Sequence, residues 1–357
     1  MTITDYTLHR LRIPLREPIG DSQVRFDVHW MTIVELHTDA GYSGVGFQIQ
    51  QGMPTASLGI LTEQFAQGVW PSLQGEAPLG LAQRIVRPRG GNVGGGYLTS
   101  AVETALWDLI AKQQDLPLYR VLGGTNPRVR AYGSTLDFRL TDDEFREKLE
   151  RFRHRGFTAI NINRGHPDLA WDLCRIGITK DVMGEDVCLM VDANEAWSVK
   201  ETLIRLNAYR EAGHEIYWIE DPITRDDYEG YARLCAELSD TRINTGEYLG
   251  FSGKRRLLEH SAVDVLNVHD SISTTRSAAR LAGDYGVPVS LGNTVLELGV
   301  HLAASLPECL FLEFSDLSWN EVAVERVHFA DGMAIAPDRP GHGIELHRDK
   351  LAQYSTP

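Results

Sequence analysis

From Ala131 onward, short apolar runs alternate with segments whose apolar residues recur at helical spacing. Thr141-Asp142-Asp143-Glu144 has the form of a capping box, in which the Thr and Glu side chains each satisfy the other's backbone N–H. It predicts a helix whose apolar face is Phe145, Leu149 and Phe152, with Gly156 just past its end. An apolar strand over 158–163 follows directly. Ser198-Val199-Lys200-Glu201 predicts a second capping box, followed by Leu203, Leu206 and Tyr209, with Gly213 closing that helix before a strand at 216–220. Strand–helix units repeated in this way leave two architectures, an open doubly wound sheet or a closed barrel.

The last residue of each predicted strand decides between them. These residues are Asn163, Asp192, Glu220, Glu247, His269, Asn293 and Glu313, spaced by 29, 28, 27, 22, 24 and 20 positions. A first strand at 132–134 makes eight. Consecutive polar strand ends converge at the C-terminal face of a barrel, whereas an open sheet spreads them along an edge. The pattern therefore predicts an α/β chain built on a TIM-like barrel. The first third differs: residues 30–38 and 42–49 read as an antiparallel hairpin turning at Asp39-Ala40-Gly41, the start of an α+β unit. Gln48, Gln50, Gln51 and the stretch after them read as a loop, as do residues 87–96. The latter is no phosphate cradle, because Tyr97-Leu98 stands where a Walker loop ends in Lys-Ser/Thr.

The balance of 35 basic against 49 acidic residues gives a net charge of −14 over 357 residues. No basic cluster is present to recognise nucleic acid or an anionic membrane, so small molecules or metal ions are the expected partners. The chain opens without a basic-then-apolar signal and has no run of 18 apolar residues, which predicts a cytoplasmic protein. Cys174, Cys188, Cys235 and Cys309 form no CxxC pair, and reduced thiols are expected.

Asp192, Glu220 and Glu247 end three successive strands. Any one of them reads equally well as a helix cap or an ion-pair partner. Three facing one another cannot all stay ionised without a cation, and an all-oxygen set favours Mg²⁺ over zinc or copper.

Val191-Asp192-Ala193-Asn194, Ile219-Glu220-Asp221-Pro222 and Gly246-Glu247, with the segment Ala101 to Lys112 and Leu122-Gly123-Gly124, carry a resemblance through nearly the whole chain. The sequence resembles the enolase superfamily in its mandelate racemase/muconate-lactonising branch. That resemblance implies a (β/α)₇β barrel at 126–325, an N-terminal capping domain at 1–125 and a C-terminal segment at 326–357 that returns to the cap. It implies one Mg²⁺ on Asp192, Glu220 and Glu247, with Asn194 and Asp221 behind them. It also implies proton abstraction α to a carboxylate through an enediolate, using a Lys or His base. A homo-oligomer is expected.

The family's base positions are altered here. Where a Lys-x-Lys would stand, the chain reads Asn161-Ile162-Asn163, and Asn293 replaces the seventh-strand histidine. An amide accepts no proton near neutrality, so Asn163 and Asn293 can orient substrate but not deprotonate it. Arg164 and His166 read as a surface loop. His269 on the sixth strand is left as the proton carrier by elimination, with Asp270 to orient it, and the resemblance implies that Glu313, on the eighth strand, is the partner of the substrate carboxylate. Arg16, Asp21 and Arg25 match the family's specificity loop in place. With one proton carrier in view, syn dehydration of a sugar acid is the expected reaction. A racemase, epimerase or cycloisomerase, or a metal-binding paralogue without activity, is the alternative.

Overall fold

The computed structural model describes residues 1–51, 56–85, 98–269, 271–292 and 296–356. Its N-terminal unit is an antiparallel sheet, β1 (Ile3–Gly20), β2 (Arg25–Thr38) and β3 (Ser43–Gln51), followed by helices α1 (Leu58–Gln64), α2 (Pro78–Ile85), α3 (Thr99–Gln113) and α4 (Leu118–Val121). Gln48 and Gln50 lie in β3 and not in a loop; Gln50 pairs with Trp30 and Gln48 with Thr32. Polar side chains hid a strand whose ladder is backbone. Helix α3 lies hard against β3. A Cβ on Gly46 would stand 1.7 Å from the carbonyl oxygen of Ala101, so only glycine admits that approach.

The barrel strands are β4 (Arg128–Ser134), β5 (Ala159–Asn163), β6 (Cys188–Asp192), β7 (Trp218–Glu220), β8 (Arg242–Thr245), β9 (Val265–Asn267), β10 (Val289–Leu291) and β11 (Cys309–Phe314). They pair in parallel and in chain order, and β11 closes onto β4. The connecting helices are α5 (Asp142–His154), α6 (Leu169–Met183), α7 (Val199–Glu211), α8 (Tyr228–Glu237), α9 (Phe251–Glu259), α10 (Ile272–Asp284) and α11 (Leu296–Ser305). This is the predicted α/β barrel of seven strand–helix units and an eighth strand.

Alternation along the strands fills it. Met190, Trp218, Val265 and Phe311 point inward with Tyr132, and Tyr132 and Phe311 meet Trp218 edge-on at 5.3 and 5.7 Å. Two residues further along, the same inward face carries Asp192, Glu220, Asn267 and Glu313. Asn163, Asp192 and Glu220 stand level, being register partners on adjacent strands.

The first helix start is as expected. Thr141 Oγ1 accepts from the Glu144 N–H at 3.3 Å, and Glu144 accepts from the Thr141 N–H at 2.7 Å. Thr141→Ala is expected to cost about 1 kcal/mol, read as a lower urea midpoint at unchanged slope. The second box is only half formed. Ser198 accepts from the Glu201 N–H, but the Glu201 carboxylate takes Arg205 Nε at 2.7 Å instead of reaching back. A charge-assisted bond one turn along is the stronger claim on that carboxylate.

The tail first extends the barrel sheet. Strands β12 (His328–Ala330) and β13 (Met333–Ile335) form a hairpin that pairs antiparallel with β4. The chain then returns to the cap. His342 donates its backbone N–H to Asp108 and its Nε2 to the Val45 carbonyl at 2.7 Å, and Thr356 N donates to Arg10 O after helix α12 (Arg348–Tyr354). Leu346 and Leu351 thereby join Leu11, Ile33 and Phe47 in a second core beneath the cap sheet.

Candidate active site

The mouth of the barrel is a cleft between two surfaces. Its floor holds Asn163, Asp192, Asn194, Glu220, Glu247 and Glu313, from the C-terminal ends of the strands and the turns after them. Its roof is the β1–β2 hairpin, which brings Ile19, Asp21, Val24 and Phe26; Leu136, Tyr248 and Leu317 close the sides. Gln23 Nε2 ties the hairpin tip to the floor by donating to Asn194 O at 2.7 Å. Arg16 and Arg25 turn away to Glu321 and Asp27. Among the described lining residues none is Lys, Arg or His.

Floor carboxylates are clasped by amides. Glu220 accepts Asn161 Nδ2 at 2.8 Å on one oxygen and Asn267 Nδ2 at 2.7 Å on the other. Asp192 accepts both the backbone and the side-chain amide of Asn194, at 2.8 and 2.9 Å. Asn163 Nδ2 donates in turn to Asn194 Oδ1 at 2.9 Å. These neutral donors do not cancel the charge. Burial, and then repulsion from Asp221 and Glu247, push the Asp192 pKa well above the usual carboxylate range. Burial and then Asp192 and Glu313 do the same to Glu220. Asp221, just behind, is raised to about 6 mainly by burial, although Thr245 Oγ1 donates to it at 2.5 Å.

An oxygen-rich, buried and self-repelling set with no positive side chain among the described residues lining the cleft suits a hard divalent cation. Asp192, Glu220 and Glu247 are the residues that would hold it. As they stand, no three His, Cys, Asp or Glu side chains among the described residues form a group that grips an ion. The oxygens of Asp192 and Glu220 are turned to amides, and those of Glu247 to Tyr248; a cation held here would displace these hydrogen bonds.

Strands β8 and β9 end two residues earlier than the sequence suggested, at Thr245 and Asn267. Glu247 still reaches the cleft, because Gly246 turns the chain with φ +114°. His269 does not line it. Burial, and then Lys254, push its pKa down to about 4, and its Nδ1 has no partner among the described residues. Asp270 and Asn293 lie outside the described residues. Glu313 lines the cleft: a Cβ on Gly292 would stand 2.8 Å from Asn267 Nδ2 and 3.2 Å from Glu313 Oε2, so the bare glycine gives both room.

Arg164 is buried, which overturns its surface reading. Its backbone N–H donates to Asp192 O at 2.6 Å, and its Nη1 lies 3.3 Å from Asp137. Asp137 also accepts the Asn163 N–H at 2.8 Å, so this buried pair sets the turn after Asn163, which Arg164 ties to Asp192 on the next strand. Asn267 was missed. Counting by two from the inward Val265 reaches it before His269.

Comparison with known proteins gives a consistent picture. The family model described as mandelate racemase/muconate lactonizing enzyme, N-terminal domain, matches residues 4–123, and that described as enolase C-terminal domain-like matches 144–350. The 3,6-anhydro-alpha-L-galactonate cycloisomerase of Streptomyces coelicolor is 29% identical over 98% of this chain and 97% of its own length. A Mesorhizobium loti protein provisionally named a mandelate racemase superposes with a TM-score of 0.95 at 40% identity, over 100% of this chain and 95% of that one. The L-talarate dehydratase of Polaromonas sp. JS666, crystallised with Mg and L-glucarate, superposes with a TM-score of 0.86 at 29% identity, over 100% and 98%.

Proposed function

This chain belongs to the enolase superfamily, in its mandelate racemase/muconate lactonizing enzyme branch, and from that premise we propose that it removes the α-proton of a hydroxy-carboxylate with Mg²⁺ as cofactor, in the dehydration of a sugar acid. The observation that carries this reading is the buried carboxylate set at the barrel mouth, facing a hairpin roof. Bound there, a divalent cation supplies the positive charge that makes an α-proton acidic enough for a side-chain base.

The chain's own part is to bind, orient and move the proton. Asp192, Glu220 and Glu247 hold the cation, and Asn161, Asn267 and Asn194 fix how their oxygens face it. Asn163 offers an amide to substrate oxygen, and Ile19, Val24 and Phe26 exclude water from above. His269 is the proposed proton carrier, with Asp270 proposed to orient it and Asn293 to orient substrate. A second reading gives the proton to Glu313, because Glu313 lines the cleft and His269 does not.

Incubation with Mg²⁺ and a panel of sugar acids in D₂O tests the function. We expect deuterium at the α-carbon and a 2-keto-3-deoxy product from at least one acid. Exchange with recovery of an isomer in place of a keto acid assigns an isomerase, the class of the Streptomyces coelicolor relative. No exchange from any acid refutes proton abstraction. His269→Asn is expected to slow exchange at least 100-fold. Near wild-type exchange in that variant, with a comparable loss in Glu313→Gln, moves the proton to Glu313. A wild-type rate limb near pH 4, and not the usual 6 to 7 of histidine, would match the buried ring.

A further inference from the structure

The turns that follow β6, β7 and β8 are locked to one another outside the carboxylate set. Asn194 and Glu195 have left-handed φ values of +46° and +61°, and Asp221 has +37°. Three such non-glycine residues beside one cleft are a costly arrangement, held only where the surroundings enforce it. The enforcement is visible. Glu195 donates its N–H to Asp221 O at 2.6 Å, and its carboxylate accepts the Arg225 backbone N–H, Nε and Nη2 at 2.7, 2.7 and 2.6 Å.

Arg225, so fixed, lays its guanidinium over the ring of Tyr248, 4.5 Å from the centroid. Tyr248 lines the cleft and is 49% exposed, an unusual outlay for an aromatic ring held so firmly. It follows Glu247 directly, so its hydroxyl sits at the edge of the acidic floor. As the cleft stands that hydroxyl is hydrogen-bonded to Glu247, and a cation that claimed the Glu247 carboxylate would leave the phenol free to serve another oxygen.

We propose that Tyr248 contacts the substrate, donating its phenolic O–H to an oxygen of the bound hydroxy acid, and that Arg225, held by Glu195, is the positioning residue that sets the ring. The chemistry follows from the rest of the floor. A ligand carboxylate or hydroxyl arriving among acidic side chains needs donors, and the described lining offers amides and hydroxyls but no cation. A phenol is a neutral donor on a stiff arm. Arg225 stacked on the ring fixes its orientation over the floor, while the two-pronged hold of Glu195 keeps that guanidinium in place.

The inference rests on hydroxy-acid binding at this cleft but not on any turnover. It is tested by titrating Mg²⁺-loaded protein with 2-hydroxy-2-methylpropanoate, which carries the head group and has no α-proton to lose. Tyr248→Phe keeps the ring beneath Arg225 and removes only the donor. It is expected to weaken binding about tenfold while leaving Mg²⁺ affinity and melting temperature unchanged. Arg225→Gln is expected to weaken it about threefold, with Arg225→Lys in between because it restores the charge without the fork. On any acid that is turned over, both changes should raise KM more than they lower kcat.

Affinity in Tyr248→Phe within twofold of wild type overturns the proposal, as does a matching loss of Mg²⁺ affinity, which would make the phenol a support for Glu247. Wild-type protein that binds the analogue yet exchanges no α-proton refutes proton abstraction and leaves this assignment standing. Wild-type protein that fails to bind the analogue removes both.

Discussion

Glu220→Gln with Glu247→Gln is expected to abolish measurable Mg²⁺ binding and to lower turnover at least a thousandfold, about 4 kcal/mol in the barrier. The metal-free double variant should nevertheless melt at a higher temperature than metal-free wild type. The reason is the upward displacement of Asp192 and Glu220, caused first by burial and then by their acidic neighbours. A carboxyl whose folded pKa lies above its unfolded value binds more protons folded than unfolded. Its contribution is complete below the ordinary carboxylate pKa, near 4, and is lost as pH rises through the folded value. Metal-free wild type should therefore lose stability as pH rises from about 4, and the double variant should show a flatter profile. Saturating Mg²⁺ should restore stability to wild type alone, by mass action on the folded state. Calorimetry and melting curves at pH 4, 6 and 8 give all three readings. Unchanged Mg²⁺ affinity in the double variant would remove these residues from the site.

Asp137→Ala is expected to cost about 3–5 kcal/mol, the usual penalty for stripping a buried partner from a charge. Asp137 is fully buried. It takes Arg164 Nη1 at 3.3 Å and Arg175 Nη1 at 3.4 Å on one oxygen, and Thr135 Oγ1 and the Asn163 N–H at 2.6 and 2.8 Å on the other. Removing it leaves two buried guanidinium groups facing one another. Arg175 keeps Asp142 at 2.9 Å, but Arg164 has no other acidic partner within ion-pair reach among the described residues. Activity should fall more than stability alone explains, because the Asn163 turn loses its acceptor. A denaturation midpoint within 1 kcal/mol of wild type would show that the guanidinium groups are already compensated without Asp137.

Much of this was legible in the chain and some was not. Polar residues recurring at strand ends revealed the barrel, since only closure brings them to one place, and Thr141 with Glu144 marked a helix start by local chemistry alone. The acids of the floor were visible because charge at an inward strand end is unusual. The amides that clasp Glu220 were not visible. Asn161 and Asn267 sit on strands separated in sequence by 106 positions, and their meeting at one carboxylate is a product of closure. Arg164 misled for the same reason: a charged residue after a strand reads as solvated until its partner, 27 positions upstream, is known to be buried beside it. Gln48 and Gln50 misled in the opposite direction, because polar composition is a weak guide to a strand paired through its backbone.

The closing stretch of the chain has a consequence for how the molecule is made. Residues 342 and 356 complete the unit begun by residues 3–51, with His342 bonded to Val45 and Thr356 to Arg10. During synthesis the cap sheet therefore waits, one apolar face uncovered, while some two hundred residues of barrel are added. Domains that fold as they emerge escape that exposure. Here the cap sheet is sealed only by residues 297 positions further along, as the bond from His342 to Val45 shows.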